Sequence, residues 1–211
     1  MAERFAADSN ILDLYRKFTG DWITQRSGGE IKPMTPAGAA GLLGSTQVET
    51  GSPDLSQMDV VEKGNNQAGR GLSQFSHARR VPYDKARADF IKSGGDVNST
   101  EFQAGYLIDE YQDKHNPSPG ALLSSHTKAF DICGQMPEPV AAAKCWTTGS
   151  EGRQGYFAPT TPHMDRRTKG AQNIYDQVTN PSFGKATGPT TPPNAPLVKE
   201  KPDPYAGIWV P

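Results

Sequence analysis

The stretch Thr35–Thr50, TPAGAAGLLGSTQVET, constrains the fold of this chain more than any other. Thr35 can cap a helix, Pro36 suits its first position, and Ala37, Ala39, Ala40, Leu42, Leu43 and Val48 follow with no charge among them. Its first charged side chain is Glu49, just before Thr50-Gly51-Ser52-Pro53 must stop it. A carboxylate leaving an apolar helix beside a turn is partly desolvated, which raises its pKa and lets it serve as a general acid near neutrality. The plainer alternative is a solvated glutamate at a helix end.

The residues after Glu49 sharpen the choice. Asp59-Val60-Val61-Glu62 reads as a short strand and Lys63-Gly64-Asn65-Asn66 as a turn. Gly69-Arg70-Gly71 reads as a return in which the backbone passes close to another group. Leu72-Ser73-Gln74-Phe75 completes a compact phrase, and Arg79-Arg80-Val81-Pro82-Tyr83-Asp84 continues it.

A helix ending in Glu, a small β excursion and then Gly-x-Gly-Leu-x-Gln-aromatic resembles the lysozyme-like superfamily, especially goose-type lysozymes, soluble lytic transglycosylases and the lysozyme domains of phage tails. The resemblance spans residues 35–115. It implies that Glu49 protonates the glycosidic oxygen, that Gly71, Leu72, Ser73 and Gln74 line a sugar cleft, and that Phe75 lies at its edge or beneath it. Goose-type enzymes carry an Asp shortly before the Gly-rich phrase, whereas this chain has Asp54, Asp59 and Glu62 at other offsets. Glu62 is the first candidate for a second carboxylate, orienting water from the strand that faces Gly69, with Asp54 the fallback and otherwise a turn residue. Asp59 falls on the other strand face by period two. If neither carboxylate serves, the substrate's own 6-hydroxyl attacks in a transglycosylase mode and Glu49 works alone.

Composition limits the rest. Gly 22 and Pro 18 approach a fifth of the 211 residues, which predicts long loops or tails beside one domain of ordinary size. A net charge of −1 excludes a protein that binds nucleic acid through a generally basic surface. No apolar run is long enough to span a membrane, and the first eight residues lack the apolar core of a secretory signal, so synthesis in a host cytoplasm and no membrane insertion are expected. His77, His115, His126 and His163 have no partner at ligand spacing, so neither metal nor cofactor is expected. Cys133 and Cys145 read as buried thiols, with a disulfide the alternative.

The expected fold class is α+β, predominantly α. Residues 1–30 form an N-terminal arm and a bracing helix, Asn10–Phe18, carrying Ile11, Leu12, Leu14 and Tyr15. Residues 31–158 form the lysozyme-like domain. Within it, Pro82 opens a helix to Lys92, Asn98 with Glu101 caps a helix to Lys114, and Ala121–Cys133 and Pro139–Trp146 are further helical pieces. Gln103, Tyr106 and Tyr111 are helix residues that can either touch sugar or join the core, and Tyr106 is the one carried forward as a substrate contact. Residues 159–211 hold ten of the 18 prolines and form an extended tail that closes on Tyr205, Ile208 and Trp209. Arm and tail are expected to contact other virion proteins, and the body a peptidoglycan glycan strand. The functional expectation is a phage virion-associated peptidoglycan hydrolase. A structural virion protein with a non-catalytic body and a free endolysin are the alternatives.

Overall fold

In the computed structural model, residues 9–62, 68–114, 129–150, 155–157, 159 and 162–180 are described. The first eight residues, the Lys63-Gly64-Asn65-Asn66 turn, most of the Ala121–Cys133 piece, and the tail beyond residue 180 lie outside them. The described residues are predominantly helical: α1 (Asn10–Thr19), α2 (Asp21–Arg26), α3 (Pro36–Thr50), α4 (Arg80–Lys92), α5 (Thr100–Tyr111), α6 (Ala129–Ile132), α7 (Pro139–Thr148) and α8 (Met164–Thr179).

The uncharged stretch forms α3 as its residues dictate. Thr35 Oγ1 accepts from Gly38 N at 2.9 Å, Pro36 occupies the first turn, and Gly51 ends the helix at φ 65° in the left-handed region. Every residue from Ala37 to Thr46 is buried. The helices packed most closely on it are α8 and α7, and α1 also lies against it. Trp146 of α7 donates from Nε1 to the Gly38 carbonyl at 3.0 Å, which satisfies a buried polar group at the base of the wrap. Cys133 and Cys145 are joined in a disulfide, Cα to Cα 5.4 Å, so the free-thiol reading is corrected: the helical turn that follows α6 delivers Cys133 to the inner face of α7.

The bracing helix is present as α1, with Ile11, Leu14 and Phe18 wholly inaccessible in the common core. At α5 the cap is Ser99, whose Oγ accepts from Phe102 N at 3.2 Å. Asn98 is used differently: its Oδ1 accepts from both Met58 N and Asp59 N at 2.9 Å, tying the excursion to the start of α5.

Two expectations are corrected. The β excursion is reduced, among the described residues, to one antiparallel bridge between Val61 and Arg70, because Val60-Val61 is the whole of its apolar alternation. The tail expected from residue 159 begins with a 16-residue helix, α8, that belongs to the same core through Ile174, with Tyr175 and Val178 packed against it. Its contact with α3 is made of small residues: a methyl on Gly44 would overlap the Ala171 backbone, and Gly170 lies so close that its own added Cβ would sit 3.2 Å from Gly44 Cα. Two helices held this closely need few large apolar side chains, so hydrophobic periodicity gives little sign of the pairing. Gly44→Ala is therefore expected to destabilise the protein by roughly 1–3 kcal/mol through overpacking, read as a lower urea midpoint with unchanged slope.

Candidate active site

The end of α3 brings Glu49 to a partly buried position, with 13% of its side chain exposed. Desolvation raises its pKa above the ordinary carboxylate range, and the negative charge of Glu62 adds to the rise. Arg167 opposes both, by charge and by hydrogen bond, and Arg79 opposes them by charge. Arg167 Nη2 donates to Glu49 Oε1 at 2.5 Å. The arginine comes from α8 and is 1% exposed. Sequence reading passed over it because a basic residue in a polar, proline-bounded segment resembles a solvated tail.

Glu62, the first candidate for the second carboxylate, is exposed on the excursion, and its Oε2 accepts from Gly69 N at 3.4 Å. The strand-like pair is completed by Glu62 N to Gly69 O at 2.9 Å and Gly71 N to Val60 O at 3.1 Å. Asp54 serves its turn, accepting from Ser56 N and Ser52 Oγ at 3.0 Å, and those donors lower its pKa. Its carboxylate is thus suited to staying ionised in a turn, and nothing in its contacts brings it to Glu49.

Asp59 is committed elsewhere. Its side chain is 5% exposed and accepts a two-pronged pair from Arg70 at 3.0 Å and 3.0 Å, a bond from Arg87 Nε at 2.6 Å and one from the Tyr83 hydroxyl at 2.9 Å. Gln103 extends this network inward: its Nε2 donates to the Tyr83 hydroxyl at 2.9 Å and to Val97 O at 2.7 Å, while its Oε1 accepts from Leu72 N at 2.9 Å. Gln103 is therefore a wholly buried strut for the Gly-rich phrase.

The phrase itself is a closed loop. Arg70 and Phe75 exchange backbone hydrogen bonds of 3.2 Å and 2.8 Å, leaving Gly71, Leu72, Ser73 and Gln74 as the tip. Gly71, at φ 81°, sits so close to Tyr83 that an added Cβ would be 2.6 Å from the ring, the close approach its glycines predicted. Leu72 and Phe75 are completely buried, Ser73 is 3% exposed, and Gln74 is half-buried at φ 47°. Tyr106 is 3% exposed, edge-on to Phe75 and Tyr83 at ring separations of 4.8 Å and 4.9 Å. The side chains of Leu72, Phe75 and Tyr106 therefore support the loop from within the core, and Gln74, half-buried, turns its amide back on the loop, donating from Nε2 to Val60 O and Gly71 O at 3.3 Å.

Beside them Arg79 is held by a bidentate pair to Glu110, 2.6 Å and 2.8 Å, between the rings of Phe75 and Tyr156 at 5.0 Å and 4.9 Å. Burial works against its charge, but the Glu110 carboxylate outweighs that and holds Arg79 firmly protonated. No group of three or more His, Cys, Asp or Glu suited to a metal occurs among the described residues. Nor is any helix there long and apolar enough to cross a membrane.

A desolvated glutamate closes the buried helix α3, and the charge of Glu62 on the short excursion reaches it. Residues 30–178 match the family described as phage tail lysozyme, and the chain belongs to that family. No curated protein matches it in sequence. The family match runs through α8 almost to its end, in keeping with the place of that helix in the core.

Proposed function

We propose that this protein is a phage virion-associated peptidoglycan hydrolase that cleaves the β-1,4 bond between N-acetylmuramic acid and N-acetylglucosamine and opens the cell wall locally during infection. The observation that carries the reading is Glu49: a carboxyl group at the end of an uncharged helix, mostly buried, with its pKa raised by desolvation. Membership of the phage tail lysozyme family supplies the setting.

In this reading Glu49 enters the reaction protonated. Its proton passes to the glycosidic oxygen as the C1–O bond breaks, the bonding pair leaves with that oxygen, and an oxocarbenium-like centre develops. Glu62 orients a water molecule in a muramidase; in a lytic transglycosylase the 6-hydroxyl of the muramyl residue attacks instead and Glu49 recovers the proton. Gln74 is the one residue of the Gly-Leu-Ser-Gln phrase that is not fully buried, and in this reading its amide leaves Val60 O and Gly71 O to meet sugar. The N-terminal arm and C-terminal tail moor the protein to other virion proteins.

Purified peptidoglycan treated with wild-type protein and with Glu49→Gln, its products read by mass spectrometry, tests this. Cleavage by the wild type alone supports the hydrolase, and anhydromuramyl ends identify the transglycosylase. Wild-type protein that leaves the polymer intact would sink the proposal in favour of a structural virion role.

A further inference from the structure

We infer that Arg167 is a positioning residue for the reaction proposed above, fixing one oxygen of Glu49 so that the other is the proton-bearing oxygen, and that α8 is thereby part of the catalytic apparatus.

The case rests on how the guanidinium is held. Its Nε donates to Pro162 O at 2.6 Å, Nη1 to Ser45 O at 3.3 Å, and its Cζ lies 5.5 Å from the centre of the Phe157 ring. These three contacts come from the segment before α8, from α3 and from the 155–157 segment, and none involves Glu49. The arginine is thus seated independently of the residue it serves, which makes it a fixed reference for the Glu49 carboxyl group. The 2.5 Å bond from Nη2 goes to Oε1 alone. Among the described residues Oε2 accepts no hydrogen bond. The two oxygens are therefore unequal: a proton placed on Oε1 would face a cation, while one on Oε2 would not.

The consequence for the reaction is direct. Proton transfer leaves Oε2 and generates a carboxylate, and the bond from Arg167 strengthens as that negative charge forms. Such a contact favours the transition state over the resting acid. Three charged groups from three elements act on Glu49: Arg167 on α8, Arg79 in the turn before α4, and Glu62 on the excursion. Of these, Arg167 is the one bonded to it.

The inference rests on Glu49 being the acid, and the experiment separates the two. Arg167→Gln removes the charge and Arg167→Lys keeps it while losing the fork that reaches Pro162, Ser45 and Glu49 together. The titration of the Glu49 carboxyl is followed on the resting protein by isotope-edited infrared difference spectroscopy, with Glu49→Gln as the assignment control. The pH profile of kcat/KM on peptidoglycan is followed beside it. Removing the opposing charge should raise the Glu49 titration in Arg167→Gln, and move the alkaline limb of kcat/KM the same way. Arg167→Lys should lie between that variant and the wild type. Plateau kcat should fall roughly 10- to 100-fold in Arg167→Gln with KM little changed, since one charge-assisted bond made to the acid is lost. If Arg167→Gln does not fold, Arg167→Lys decides alone by the same two readouts. An active wild type whose Glu49 titrates unchanged in the folded variants overturns the inference while leaving the hydrolase standing. A shifted titration in an inactive wild type overturns the hydrolase, and the positioning role with it.

Discussion

Glu49→Gln is expected to lower turnover on purified peptidoglycan by roughly 10²- to 10⁴-fold, the range a positioned general acid contributes, with the thermal midpoint close to that of the wild type. Glutamine is the informative replacement because its carbonyl oxygen can still accept from Arg167. Alanine would strand a buried guanidinium and cost roughly 3–5 kcal/mol, so that lost activity and lost fold would be confused. The wild-type pH profile should show the same residue as its alkaline limb: desolvation and the Glu62 charge raise the Glu49 pKa, so the protonated, active form persists above the usual carboxylate range and activity falls only as pH rises through the raised value. Glu62→Gln divides the two chemistries. A muramidase that uses Glu62 to orient water should slow markedly, whereas a transglycosylase should keep its rate and its anhydromuramyl ends.

Much of the architecture was legible in local residue chemistry. Thr35, Pro36 and Gly51 mark both ends of α3, and the structure buries most of the uncharged stretch between them. The helix after Pro82 and the one ending near Trp146 appear as α4 and α7 within one or two residues. The departures have physical causes. At α5 the cap slipped from Asn98 to Ser99 because Asn98 is drawn off to bind two amides of the excursion, a tertiary competition that no local spacing reveals. Helix α8 escaped notice because its contact with α3 depends on Gly44, Gly170 and Ala171, and because two of the partners that let its large polar residue Arg167 be buried, Ser45 and Glu49, lie more than a hundred residues earlier in the chain. Glu49 could be singled out from sequence, but the arginine bonded to it could not. The Gly-Leu-Ser-Gln phrase was read as a row of cleft residues. In the structure its apolar members face the core, and Gly71 is there because Tyr83 occupies the space where a side chain would go.

Asp59→Ala should be the most damaging substitution outside the α3 core, lowering stability by roughly 3 kcal/mol or more. The carboxylate is 5% exposed and compensates Arg70 and Arg87 at once, while accepting from Tyr83. Deleting it leaves two arginines, partly shielded from water, facing each other and a buried phenol without its acceptor. Arg70 keeps Asp84 only at 3.7 Å, too weak a substitute to restore the site. Asp59→Asn retains an acceptor of the same shape but not the charge, and should cost distinctly less. The damage should have a recognisable place as well as a size. Arg70 opens the loop whose tip is Gly71–Gln74, and Tyr83 passes the Asp59 contact through Gln103 to Leu72 N. Amide exchange should therefore accelerate first at Leu72 and Phe75, before the backbone of α3 is affected. Urea unfolding and peptide-resolved exchange measure the two effects separately. Activity should then fall in proportion to the population of opened loop, recovering on cooling toward the temperature of maximum stability, whereas the Glu49→Gln defect should persist at every temperature at which the protein is folded. That contrast separates a residue that builds the site from one that performs the chemistry. An Asp59→Ala protein as stable as the wild type would show that the loop is held by the α5 strut alone.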